Sequence, residues 1–85
     1  MKIRFHGNFE KDLRKLNARQ KQKTKERLVI FLENPFDISL NNHPLKGRYL
    51  NYRSIDISGD LRAIFKMFSE DEYIFVAIGS HSELY

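Results

Sequence analysis

Eighty-five residues allow a single domain, 1–85, with one modest core, because a chain this short buries only about 60–65% of the surface it exposes when unfolded. It has no cysteine, so neither a disulfide nor a thiolate metal site supports it, and nothing favours a small secreted scaffold. The formal charge of +4 hides an asymmetry: ten basic residues face three acidic ones up to Arg27, and five face eight beyond it. Charge sorted in this way points to a polyanion or to an acidic protein partner.

Met1 to His6 lack the apolar run of a signal peptide, and no apolar stretch approaches a membrane span. A soluble, cytoplasmic protein with no membrane partner is therefore expected. Ile3 and Phe5 alternate with polar neighbours and predict a short strand. Asn8 is the expected N-cap of a helix whose apolar positions are Phe9, Leu13 and Leu16. A second helix is expected from near Gln20, carrying Leu28, Phe31 and Leu32 to the core and ending at Asn34-Pro35. Lys21, Lys23 and Lys25 crowd its opening, where the macrodipole disfavours each cation by a few tenths of a kcal/mol. Helix stability does not select that placement.

Phe36 to Gly47 reads as a loop containing His43-Pro44, followed by strands over Tyr49–Ser58, Leu61–Phe68 and Tyr73–Ser80. The last strand is apolar on both parities and belongs inside the sheet. The predicted class is α+β: an N-terminal strand and a two-helix hairpin packed on one face of a small antiparallel sheet. For Ile55, Ile57, Leu61, Ala63 and Phe65 to share the helix side, pairing must join odd with odd residues. A strict two-residue turn at Gly59-Asp60 breaks that rule, so a bulge or a longer turn is expected. Ser54, Asp56, Asp60, Arg62 and Lys66 then lie on or beside the face the helices leave open. His43 and His81 flank this face, and histidine is the side chain suited to proton transfer near neutral pH.

The segment Asn8-Phe9-Glu10-Lys11-Asp12-Leu13-Arg14-Lys15-Leu16 resembles the first-helix signature of the RelE/ParE toxin superfamily. His43-Pro44-Leu45-Lys46-Gly47, Tyr52-Arg53, Asp60 and the ending Gly79-Ser80-His81-Ser82-Glu83-Leu84-Tyr85 are similar to its YafQ-like mRNA interferase branch. The resemblance implies a type II toxin: a RelE-like endoribonuclease, independent of metal or other cofactor, that cuts mRNA in the ribosomal A site. It implies partners as well, namely a cognate antitoxin with an acidic segment, the ribosome with its mRNA, and operator DNA through the antitoxin complex. By the same resemblance His43, Asp60, His81 and Tyr85 match positions that act on RNA. His81 is expected to protonate the leaving oxygen, and His43 with Asp60 to activate the attacking 2′-hydroxyl. Arg62 and Lys46 are candidates for holding the phosphate, on the strength of the open-face argument. Lys21, Lys23, Lys25 and Arg27 are expected to grip ribosomal RNA through its phosphates.

Two positions depart from the branch. Asp56 stands where a third histidine is usual, and Ala77 where an arginine is usual. Aspartate accepts a proton but does not donate one at neutral pH unless its pKa is strongly raised. Three other readings stay open: a ParE-like toxin that inhibits DNA gyrase without cutting, a degenerate toxin that keeps only antitoxin binding and operon autoregulation, and a basic RNA-binding domain.

Overall fold

The computed structural model describes residues 1–85. Strand β1 (Lys2–Phe5) leads into α1 (Gly7–Arg14), which starts earlier than an Asn8 cap implies. His6 is the N-cap: its Nδ1 accepts the Asn8 N–H at 3.0 Å, doing with an imidazole lone pair what a carboxamide oxygen otherwise does. Helix α2 (Ala18–Glu33) opens on a complete capping box. Asn17 Oδ1 accepts the Gln20 N–H at 2.8 Å, and Gln20 Oε1 accepts the Asn17 N–H at 3.0 Å. This start sets Lys21, Lys23 and Lys25 past the first three helical positions, where the macrodipole has already weakened. The helix stops at Asn34, as the following proline requires.

Five strands form one sheet in the order β1-β5-β4-β3-β2, where β2 is His43–Pro44, β3 Arg53–Ser58, β4 Leu61–Ser69 and β5 Glu72–Ser80. The fold is the α+β arrangement expected, with helices on a small sheet whose hairpin strands are antiparallel. Strand β1 adds one parallel pair to β5. It is pinned there by the N-terminal amine on Asp71 at 3.0 Å and by Arg4 on Glu72 at 3.1 Å. Strand β5 lies inside the sheet and is covered on both faces, with Phe75 and Ile78 in one apolar cluster and Val76 and Ala77 in another, which is why both of its parities are apolar. A short C-terminal helix, α3 (His81–Leu84), follows it directly.

The β3–β4 hairpin resolves the register problem with a bulge. Ile55 pairs with Ala63 and Asp56 with Arg62, then Ser58 pairs with Leu61 across Gly59-Asp60. Ile57 is the extra residue, so a two-residue turn coexists with Ile55 and Ile57 on the core side. Gly59 has φ +45°, a conformation glycine adopts without penalty. Arg27 clasps the bulge from α2: its Nε donates to the Ile57 carbonyl at 3.2 Å and its Nη1 to that of Ser39 at 3.3 Å.

The main core lies between the helices and the sheet, and Phe31 is its centre. The rings of Phe65, Tyr73 and Phe75 stand edge-on to it at 4.9, 5.2 and 5.2 Å. Phe9, Leu40, Ile55, Ile57 and Ala63 close the same cluster. Leu32 does not join it and stays 48% exposed. The inward stripe of α2 is Thr24, Leu28 and Phe31, and residue 32 is a further 100° round the helix. Nor is the opposite face of the sheet fully open. A second, smaller cluster of Ile64, Ala77 and Leu84 is buried there, with Leu45, Tyr49, Tyr52 and Val76 packed on it. The β2–β3 connection and α3 supply that cover. No helix is long and apolar enough to cross a membrane.

Candidate functional site

Cross-strand pairing puts His43 opposite Ser54, and Ser54 opposite Ile64, on the face away from the long helices. One row nearer the hairpin tip, Asp56 pairs with Arg62, and Arg62 with Gly79. His81 lies just beyond the end of β5. Its backbone N–H donates to the Asp60 carbonyl at 3.1 Å, with Asp60 Oδ1 at 3.4 Å. His43 and His81 therefore bracket one polar row, which ends at Asp60 in the turn.

Asn41 joins the two sides of this row. It adopts the left-handed conformation, φ 49°, which asparagine tolerates better than most residues. Its carbonyl lies 2.7 Å from His43 Nδ1, and its Nδ2 donates to Asp56 Oδ2 at 3.3 Å. A carbonyl has no proton, so His43 Nδ1 carries one. The neutral ring then has its lone pair on Nε2, free to accept. His6, whose Nδ1 accepts a backbone N–H, has the opposite tautomer.

Arg62 is more committed than the sequence suggests. Its Nε sits 3.0 Å from Asp56 Oδ1, and its Nη1 donates to the Gly59 carbonyl at 2.6 Å. The Nε contact is an ion pair without the alignment of a hydrogen bond, so Asp56 Oδ1 has no hydrogen-bond partner. Asp56 thus offsets the charge of Arg62 and steers its guanidinium toward the turn backbone. Ser54 is fully buried, and its Oγ has no partner. Lys46 is exposed at the start of the turn Gly47–Tyr49 and forms no ion pair. Lys66 stands over the Tyr52 ring, 5.4 Å from its centroid.

The C-terminal turn is locked by a second capping box. Ser80 Oγ accepts the Glu83 N–H at 3.2 Å, and Glu83 Oε1 accepts the Ser80 N–H at 2.7 Å. The Ser80 backbone N–H, and after it the Ser80 hydroxyl, hold the Glu83 carboxyl below the usual glutamate range. Gly79 lies beneath this cap, and a Cβ there would come within 3.2 Å of Glu83 Oε1. The cap fixes the turn that carries His81, the first residue of α3, and Tyr85, the residue just after it. The ring of His81 lies 4.7 Å from that of Tyr85, which is 6.1 Å from Tyr49.

The basic residues of α2 do not act as one group. Arg27 is engaged by two backbone carbonyls and is a structural clasp, which corrects the expectation that it holds phosphate. Lys23 pairs with Glu26 at 3.8 Å on one side of the helix. Lys21 and Lys25 border a groove on the other side with Leu13, Arg14, Leu28, Val29 and Leu32. Asn41, Tyr49 and Glu83 are the residues that sequence reasoning missed. Ser80-His81-Ser82-Glu83 carries the S-x-x-E pattern of a capping box, so that signal was readable. Asn41 gave none, because its role depends on a partner fifteen residues away. No group of three or more His, Asp or Glu side chains is placed to hold a metal ion.

The profile of the family described as bacterial toxin of type II toxin-antitoxin system, YafQ, matches residues 1–85. YafQ from E. coli strain BL21(DE3) is 25% identical, superposes with a TM-score of 0.82, and the match covers 98% of this chain and 96% of that one. The E. coli DinJ-YafQ toxin-antitoxin complex gives 25% identity and a TM-score of 0.79, covering 98% and 94%. A YoeB/ParE toxin from Agrobacterium tumefaciens, 21% identical over 95% and 99%, shares the fold with a TM-score of 0.78. No curated protein sequence matches the chain.

Proposed function

The chain belongs to the YafQ family of type II toxins, and from that premise we propose that it is an endoribonuclease that cleaves mRNA on the ribosome. The observation that carries this reading is the placement of His43 and His81 on either side of one polar row. His43 Nε2 takes the proton of the ribose 2′-hydroxyl, and the oxygen attacks the adjacent phosphorus in line. The bond from phosphorus to the 5′-oxygen breaks, His81 gives that oxygen a proton, and a 2′,3′-cyclic phosphate remains. Each proton transfer is worth about 10²–10⁴-fold.

Asp60 stands beside the backbone of His81 and orients that end of the site. Lys46, free of any ion pair, supplies positive charge to the phosphorane, with Arg62 contributing what Asp56 leaves uncompensated. Tyr85, half exposed beside His81, stacks on a base of the substrate. Lys21, Lys23 and Lys25 hold ribosomal RNA through phosphate contacts when no partner covers them.

E. coli YafQ is seen in complex with DinJ, and a cognate antitoxin is the corresponding partner here. The groove of Leu13, Leu28, Val29 and Leu32, bordered by Arg14, Lys21 and Lys25, fits an acidic amphipathic segment. Operator DNA is reached through that complex.

The test is primer extension on a reporter mRNA after induction of the wild type and of His81→Ala in parallel. Cuts made by the wild type and absent from the variant support the ribonuclease. Growth arrest without cuts, unchanged by the substitution, sinks it in favour of a toxin that acts by binding alone.

A further inference from the structure

A cleft of about 460 Å³ lies on the same face as the histidines, displaced toward β5 and the start of α1. Its floor is apolar (Ile74, Val76, Ala77), and Tyr49 and Tyr52 line it. The two rings meet nearly edge to face, with centroids 5.8 Å apart and planes at 77°. Two cations lie over their faces: Arg48 is 5.0 Å from the Tyr49 centroid and Lys66 is 5.4 Å from that of Tyr52. His6 and Asn8 add hydrogen-bonding groups at its edge, and no carboxylate lines the cleft. A second cleft differs, since Asp12, Asp60 and Glu83 outnumber Lys15 in its lining and disfavour an anion.

We propose that the Tyr49–Tyr52 cleft is a subsite for one base of the RNA, a nucleotide flanking the scissile bond. An apolar floor with an aromatic wall suits the flat, weakly hydrated face of a base, and the cations at its rim suit the phosphates on either side. Its volume lies within the ~300–1,000 Å³ typical of small-ligand sites. Continuity with the catalytic end supports the assignment. Tyr85 touches His81 on one side and Tyr49 on the other, so ring contacts run from the proton donor to the cleft. The proposal rests on the ribonuclease reading for its substrate class, and it gives Tyr49 and Tyr52 a role in choosing which sequence is cut, with Arg48 and Lys66 holding the flanking phosphates.

The experiment measures binding of the wild-type chain to a tetraribonucleotide blocked by 2′-O-methylation, followed by a scan with an abasic residue at each position. One abasic position should weaken binding roughly 5- to 150-fold, the range of a single base–aromatic stack. In Tyr52→Leu, which keeps apolar bulk in the cleft, that position should lose its influence. Lys66→Gln, a surface change that guards against a folding defect, should weaken all probes alike and lower the salt slope by about 0.7. Abasic probes that bind as tightly as the intact one at every position, or no binding of any probe, overturn the proposal. An abasic effect that Tyr52→Leu leaves in place also overturns it. Selective binding together with no cuts in the primer-extension assay keeps the subsite and rejects the ribonuclease.

Discussion

The two faces of the sheet solve different problems with the same strands. On the helix side, Phe9, Phe31, Phe65 and Phe75 interlock with no polar group among them. On the other side, three buried apolar residues suffice to seat α3, and around them stand a buried serine without a partner, an Asp–Arg pair and two histidines. One face supplies stability and the other spends part of it. Buried polar groups without partners cost about 1–3 kcal/mol each, and they persist where the rest of the fold holds them in place. Substitutions on the two faces should therefore separate stability from activity.

Phe31→Ala should have the largest effect. It removes the ring on which three others converge, costing about 3–5 kcal/mol. At roughly 4–8 °C per kcal/mol for a domain of this size, thermal unfolding should occur well below the wild-type temperature or be lost altogether. On the second face, His43→Gln should lower the cleavage rate about 10²-fold or more while leaving the melting temperature within a few degrees. Glutamine keeps a donor for the Asn41 carbonyl but offers no base. A variant that is instead destabilised, with undiminished cleavage per folded molecule, would make His43 a structural residue and erase the contrast between faces.

Asp56→Asn tests whether the ion pair restrains Arg62. A half-buried pair of this kind, without hydrogen-bond alignment, is worth about 1 kcal/mol, so stability should change little. RNA should bind more tightly at low salt, because a negative charge beside the site is gone. Weaker binding would mean that Asp56 aims Arg62 rather than neutralising it. The smallest effect is expected at Glu83, whose carboxyl is held below its ordinary value by the Ser80 backbone and hydroxyl. A lowered carboxyl contributes stability that is fully present above its unfolded value, near 4.5, and is lost as the pH falls through its folded value. Acidification below 4.5 should loosen α3 and shift the ring signals of His81 and Tyr85 in NMR spectra, before the Phe31 core responds. Glu83→Gln should remove that pH dependence while keeping an acceptor for the Ser80 N–H.

Most of the fold was legible because its determinants are local. The helical spacing of Phe9 and Leu13 (Leu16, expected on the same helix, falls past its end at Arg14), the two-parity apolar run of β5 and the proline after Asn34 each act within a few residues. The bulge at Ile57 was legible too, since two isoleucines and an alanine had to share a face. The helix cap at His6 was not, because an imidazole serves as a cap only if its tautomer suits it. Leu32 was misplaced because neighbouring apolar residues on a helix differ by 100°, and periodicity alone does not say where the inward stripe ends.

The candidate site divides in the same way. Sequence by itself determined which residue types carry chemistry: two histidines, Asp60, Arg62 and a basic first half. Only the tertiary structure decided how they are used. It spent Arg27 on the backbone of the bulge, tied Arg62 to Asp56, and put a proton on His43 Nδ1 through Asn41. It also drew Tyr49 and Tyr52 of the β2–β3 connection together with Tyr85 of the C-terminus on one face. Hydrogen-bond partners and ring contacts act over a few ångströms in space, and residues far apart in the chain come that close only once strand register and bulges are fixed.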